Sequence, residues 1–298
     1  MKRRTLLLFS IVALSTLALA GCIPTSEATM TETAEFDMTA AFQVSGLVNL
    51  DISSSNGQIR VEGQDTTTVS VVATLRSRGT TEAEAQERVE QIEINMTQED
   101  NRVLLEYRSA DQPADVRRYS GVDFSVIVPL TADVEVDTSN GAITVRGIQG
   151  EFDLDTSNGA VDLDNLVGDI NVDTSNGKIT VDNVQGILNL ETSNGAIDLD
   201  DVEATIDART SNGAIEFSGI LAGDNHRLRT SNGRINVELQ PDASIEIDAE
   251  TSSGSISTTL PLVGDTDGKA WSATLNPPAN TTLDLRTSNG SIRIDGQI

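Results

Sequence analysis

Asp137-Thr138-Ser139-Asn140-Gly141-Ala142-Ile143 is the stretch on which the fold turns, because the chain keeps returning to it. Thr-Ser-Asn-Gly begins at positions 138, 156, 174, 192, 210, 230 and 287, with imperfect copies at Ser54–Gly57 and Thr251–Gly254. Glycines 141, 159, 177, 195 and 213 are each 18 residues apart. Later steps are 20 residues to Gly233 and 21 to Gly254, and then 36, two periods, to Gly290. A fixed period of this length marks a repeat architecture, in which each unit stacks on the next.

One period runs from Ala142 to Gly159. In it Ile143 and Val145 alternate with polar residues, and so do Phe152 and Leu154. That is two short strands with one buried face each. Two turns separate them, one at Ser-Asn-Gly and one near Gly150. Gly168, Gly186 and Ala204 hold the position of Gly150 in the following periods. Asn and Gly at the first turn point to positive φ. The next period repeats the apolar set as Val161, Leu163, Leu166, Ile170 and Val172. Some five aliphatic side chains per period are too few to hold one period alone, so neighbours must supply the missing contacts.

The pattern predicts an all-β fold, a single-stranded parallel β-solenoid (β-helix) of about 18 residues per coil. About nine coils at roughly 4.8 Å each make a rod of roughly 45 Å. A β-sandwich of hairpins is the competing reading, because Asn-Gly also marks hairpin turns. Constant period length favours the solenoid: successive hairpins need not match, whereas coils must. Ile143, Ile148, Leu154 and Val161 do not keep a six-residue step, which favours a right-handed coil over a left-handed hexapeptide helix.

In register, Asn140, Asn158, Asn176, Asn194, Asn212, Asn232 and Asn289 form one column, and Gly141, Gly159, Gly177, Gly195, Gly213, Gly233 and Gly290 another. The strand alternation, extended past Leu154, points Thr156 and Asn158 inward. These residues are expected to be a structural turn ladder of amides bonded up the column. Asp137, Asp155, Asp173 and Glu191 make an acidic column whose place Arg209, Arg229 and Arg286 take later. Ca²⁺ would relieve such repulsion, but the glycine-rich nonapeptide of Ca²⁺-binding β-rolls is absent, so no metal site and no cofactor are expected.

The composition is strongly acidic, with 46 Asp and Glu against 20 Lys and Arg in 298 residues, a formal charge of −26. Phosphate binding needs clustered cations, so nucleic acid is excluded as a partner. Aromatic residues are 3% of the chain, which argues against an aromatic-lined sugar cleft.

Residues 1–22 read as a lipoprotein signal peptide. Lys2-Arg3-Arg4 is a basic start, and Leu6 to Ala20 is an apolar run too short to span a bilayer comfortably. It ends in Leu19-Ala20-Gly21-Cys22, which resembles the lipobox of bacterial lipoproteins. Cys22 is the chain's one cysteine, so an internal disulfide is impossible and lipidation accounts for it. The expected consequence is an exported protein anchored by lipid, including palmitate, on the outer face of a cell membrane.

Residues 23–40 read as a flexible tether. Residues 41–130 read as a first coil followed by a capping section, because an open solenoid end exposes apolar surface and strand edges. Within it, Thr81 and Glu84 form a capping box, and Ala85, Val89 and Ile92 share a helical face, predicting one helix over 82–93. Residues 131–298 read as the solenoid repeats. The excursion from Leu260-Pro261 to Pro277-Pro278 carries Trp271, the one tryptophan, and leaves the rod before a last coil at 282–298.

His226 is the one histidine, and no Ser/His/Asp or Cys/His set forms around it in the sequence. No catalytic residue is therefore assigned, and the chain is expected not to be an enzyme.

The lipobox, the Ser-Asn-Gly-[Ala/Lys]-Ile turns, the approach Val128-Pro129-Leu130 and the closing Thr287-Ser288-Asn289-Gly290-Ser291-Ile292-Arg293-Ile294 together resemble the bacterial DUF4097 family. Its members are β-strand-repeat proteins described as putative adhesins. The resemblance covers 41–298 and carries no catalytic or binding residue onto this chain. It implies a surface-anchored module whose ligand is an extracellular polysaccharide or a protein. The alternatives are a carbohydrate-active β-helix enzyme and an envelope scaffold or stress-related lipoprotein with a protein partner.

Overall fold

The structure is a computed structural model that describes residues 30–297. The signal peptide, Cys22 and the first part of the tether lie outside the described residues. The fold is a parallel β-solenoid whose strands join one hydrogen-bonded network. Successive coils pair parallel and in register. Phe152 faces Ile170, which faces Leu188, and Ile143, Val161, Ile179 and Ile197 follow one another on the second sheet.

A coil is built as its alternation dictates. Strand Gln149–Thr156 sends Phe152, Leu154 and Thr156 inward and Glu151, Asp153 and Asp155 outward. The Ser-Asn-Gly turn follows, and then strand Val161–Thr174, which bends at Asn165 (φ 55°) and Gly168 (φ 144°). The bend recurs at Gly147, Asn183 and Asp201, which also have positive φ. Asn and Asp tolerate that region because their short polar side chains bond locally. Between the bends Leu166, Val184 and Val202 point into the core. The core is a continuous column of Ile, Val and Leu, nearly all fully buried, each worth about 1.5–3 kcal/mol on burial.

The N-terminal section departs from simple stacking. The coil of strands Val48–Asn56 and Ile59–Gln64 packs in register on strands Ala132–Asn140 and Ile143–Arg146. Outside it lies a further rung, made by Arg102–Tyr107 and Ser120–Pro129, which come later in the chain. Antiparallel strands then close this end. Asn95–Glu99 covers Arg102–Tyr107, and Thr68–Gly79 covers Ser120–Pro129 and pairs in turn with Glu32–Gln43.

That last strand corrects the expected tether over 23–40. Within the described residues the chain becomes a strand at Glu32, because Ala34, Phe36, Met38, Ala40 and Phe42 alternate toward the core. Small and unbranched side chains made that alternation faint in the sequence.

Helix Glu82–Glu90 lies over this cap, with Ala85 and Val89 buried. The Thr81 hydroxyl accepts from the Glu84 N–H at 3.2 Å. The Glu84 carboxylate reaches Thr80, accepting from its N–H at 2.7 Å, so the reciprocal bond lands one residue before the expected one. A second, six-residue helix, Ala114–Tyr119, was not expected. Its one buried apolar anchor is Val116, too little for a periodic signal.

The C-terminal end corrects a second expectation. The last coil does not end the rod. Strand Thr281–Thr287 lies between Asn225–Thr230 and Ile245–Thr251. Strand Ile292–Gly296 lies between Ile235–Leu239 and Ile256–Thr258. The outermost coil is therefore 245–258, and the excursion after it forms strands Val263–Asp265 and Ala270–Leu275, the second of which covers Ile245–Thr251 antiparallel. Both ends thus share one device: the coil nearest the chain end sits one place in from the rod end. The coils repeat one set of core and turn positions, so the sequence alone does not reveal their order.

Candidate functional site

The repeated Thr-Ser-Asn-Gly residues are engaged with one another. Asn140 Nδ2 donates to Asn56 Oδ1, and Asn158, Asn176, Asn194, Asn212, Asn232 and Asn289 each donate to the asparagine of the coil beneath, at 2.8–3.0 Å. These asparagines are exposed, which corrects the inward orientation expected for Asn158. The strand ends at Thr156, and its alternation does not carry through the turn.

The threonines are buried. Thr156, Thr174, Thr192 and Thr210 donate their hydroxyls to the carbonyl oxygens of Gly141, Gly159, Gly177 and Gly195 at 2.8–3.2 Å. Thr230, Thr287 and Thr251 do the same to Gly213, Gly233 and Gly290, each at 2.8 Å.

The glycines serve a purpose other than positive φ, a conformation that Gly141, Gly159, Gly177, Gly195 and Gly213 do not adopt. A Cβ on Gly177 would lie 1.7 Å from the Gly159 carbonyl oxygen, and one on Gly233 would lie 1.8 Å from that of Gly213. The turn column is glycine because the backbones stack in contact there. The turn's polar side chains bond from coil to coil.

The outward face of the first sheet is where charge collects. One column reads Asp137, Asp155, Asp173, Glu191, Arg209, Arg229, Arg286 and Glu250. Beside it Glu135, Asp153, Asn171, Asn189, Asp207, Arg227 and Asp284 follow in step. A third column begins Asp133, Glu151, Asp169. Where these three columns cross the coils at 132–137, 149–155 and 169–173, Asn171 alone is not a carboxylate. Burial pushes the Asp155 carboxyl above its ordinary value, and Asp153, Asp173, Asp137 and Glu135 push it further.

Further along the same face arginines enter in pairs with acids. Arg209 bonds Asp207 at 2.6 Å, Arg229 bonds Asp284 at 2.7 Å, and Arg286 bonds Asp284 at 2.8 Å. Burial pushes the Asp284 carboxyl up, but the bonds from Arg229 and Arg286 outweigh it and hold it below its ordinary value. The face therefore divides into an acidic sector and a mixed sector. It holds depressions, one lined by Asn49, Asp51, Arg102, Glu135 and Glu151, another by Arg209, Arg229, Glu250 and Arg286.

His226 is core. It is 1% exposed, stands between Ile206 and Leu283 in register, and its Nδ1 accepts from the Ile206 N–H at 3.2 Å. Burial pushes its pKa down, so the ring is neutral. Trp271 lies on Ala270–Leu275, half-buried against the outermost coil. Among the described residues no three His, Cys, Asp or Glu side chains are grouped as a metal ion requires.

A family model described as Toastrack DUF4097 matches residues 47–295. No curated protein matches the chain. Among solved structures, a putative adhesin from Bacteroides fragilis NCTC 9343 is 10% identical with a TM-score of 0.44, over 88% of this chain and 97% of that one. A putative lipid binding protein from Parabacteroides distasonis ATCC 8503 is 12% identical with a TM-score of 0.41, over 88% and 97%. A putative cell adhesion protein from Clostridium sporogenes ATCC 15579 is 11% identical with a TM-score of 0.30, over 89% and 100%.

Proposed function

The chain belongs to the Toastrack DUF4097 family, and from that premise we propose that it is a surface-anchored, non-enzymatic binding rod of the cell envelope. Cys22 carries the lipid anchor. Residues 23–29 are the tether, which at roughly 3.3–3.6 Å per residue reaches about 24 Å when extended. The anchored end is the one closed by helix Glu82–Glu90, since Met30 already lies against Arg88 of that helix, Nη1 to Sδ 3.8 Å. The far end carries the excursion with Trp271.

The observation that carries the reading is the charged outer face. Its side chains stand on rigid, regularly spaced strands, an arrangement suited to an extended ligand rather than to a reacting bond. The one histidine is core and does not stand on this face, whose titratable side chains are carboxylates and arginines. An extracellular polysaccharide or a protein is the ligand class proposed.

Two measurements test this. Residues 26–298 are passed over polysaccharides and cell-wall fractions, with and without Ca²⁺, and the eluates are analysed for products. Retention without cleavage is expected, and cleavage would move the protein to the carbohydrate-active enzymes. Labelled palmitate is expected to enter the wild-type chain in cells and not the Cys22→Ser variant.

A further inference from the structure

The coil at 281–296 is held between two coils that precede it in the chain, and it reaches its place through the single connection 276–280. The connection 240–244 passes outward beside that place. The two crossings are tied together. Asn276 Nδ2 donates to the carbonyl oxygens of Pro241 (2.8 Å) and Ala243 (2.9 Å), and the Ser244 hydroxyl lies 2.9 Å from the Asn276 oxygen. Without 281–296, the strands of 225–239 and 245–258 that pair with it would be left as open edges facing each other across a gap. The gap is lined by the same ladder groups that every coil offers. Asn289 donates to Asn232 (2.8 Å), Thr287 to Gly233 (2.8 Å), and Thr251 to Gly290 (2.8 Å).

We propose that this gap is a strand-exchange site whose second occupant is the 281–296 coil of another copy of the chain. The contacts are the same whichever copy supplies the coil, so exchange costs no contact of the coil itself. What changes is the path of 276–280, whose Asn-Pro-Pro-Ala-Asn composition favours an extended, semi-rigid run. Insertion in cis acts at an effective concentration of about a millimolar over so short a link, so exchange competes as protein concentration approaches that range. A reciprocal exchange closes as a two-fold dimer joined at the rod ends away from the Met30 cap. This depends neither on the lipid anchor nor on ligand binding by the charged face.

The test uses full chains carrying Cys22→Ser. One variant adds Asn232→Cys and the other Asn289→Cys, at positions that are ladder partners. The two are unfolded, mixed, refolded together at about 0.5 mM and at about 5 µM, and oxidised. A disulfide-linked dimer is expected from the mixture at the higher concentration, about tenfold above either variant alone, and little at the lower. Mixing the two already folded is expected to give no excess. Equal yields from the mixture and the single variants after co-refolding would overturn the proposal. Asn236→Cys with Arg293→Cys, also register partners, repeats the test should the ladder pair fold poorly. The chain carrying both cysteines must crosslink within itself, which confirms the geometry in each case.

Discussion

At the scale of the residue, the turn motif is a device for contact between coils. Gly177→Ala places a methyl against backbone that has no freedom to move, since the Gly159 oxygen is itself held by the Thr174 hydroxyl at 3.2 Å. A loss of about 3 kcal/mol or more is expected in urea unfolding. Thr192→Val keeps the shape, removes the donor and strands the Gly177 carbonyl, with an expected loss of about 1–3 kcal/mol. If Thr192→Val unfolds at the wild-type midpoint, the buried hydroxyl column is not a source of stability. The positions in these columns were legible in the sequence, because the period is exact over five coils. Their chemistry was legible only in part. Asn-Gly reads locally as a positive-φ turn, whereas what selects glycine at 177 is the oxygen of Gly159, 18 residues earlier in the chain and one coil away in space.

At the scale of the element, the acidic sector makes one sheet face sensitive to pH. Asp155 binds its proton more tightly folded than unfolded, because its pKa is raised above 3.8. Its contribution to stability therefore grows as pH falls from neutral through the folded pKa, and is complete below 3.8. His226 acts in the opposite sense. Its folded pKa is below 6.5, so its contribution is present above 6.5 and is lost as pH falls toward the folded value. Comparison with Asp155→Asn separates the two. The variant is expected to gain stability over wild type at pH 7 and to lose that advantage by about pH 4, read from urea midpoints at both. An advantage that persists unchanged at low pH would remove Asp155 from the account. Strands of the repeats were legible as elements because Ile, Val and Leu alternate strictly in them. Strand Glu32–Gln43 was not, since its inward positions are filled by Ala34, Phe36, Met38, Ala40 and Phe42, which share no strong β preference as a set.

At the scale of the whole molecule, the interleaved ends decide which part of the rod opens first. In a simple stack the chain-terminal coil is outermost and frays most readily. Here the outermost strand of the second sheet is Ile256–Thr258, which pairs on one side with Ile292–Gly296. Native-state hydrogen exchange is expected to find the amides of Leu285, which faces the covered strand Ile245–Thr251, and Asp295, which faces Ile235–Leu239 further in, protected like those of interior coils, and that of Thr258 on the outer edge much less so. Faster exchange at Leu285 and Asp295 than at Thr258 would contradict the coil order. The solenoid and its period could be read from the sequence. This order could not, because Thr281–Thr287 and Ile245–Thr251 present matching edges, and either would fit against Asn225–Thr230.

The same interleaving bears on what happens under tension. A tug on the residues beyond Gly296 does not lift away an end coil, as it would unwind a spring. It must drag a strand out from between two others, sliding along both at once, while the 240–244 crossing bridges the flanking coils from outside. A seam closed with a backstitch resists unravelling for the same reason. A rod that holds its place on a moving surface would gain from being sewn shut at both ends.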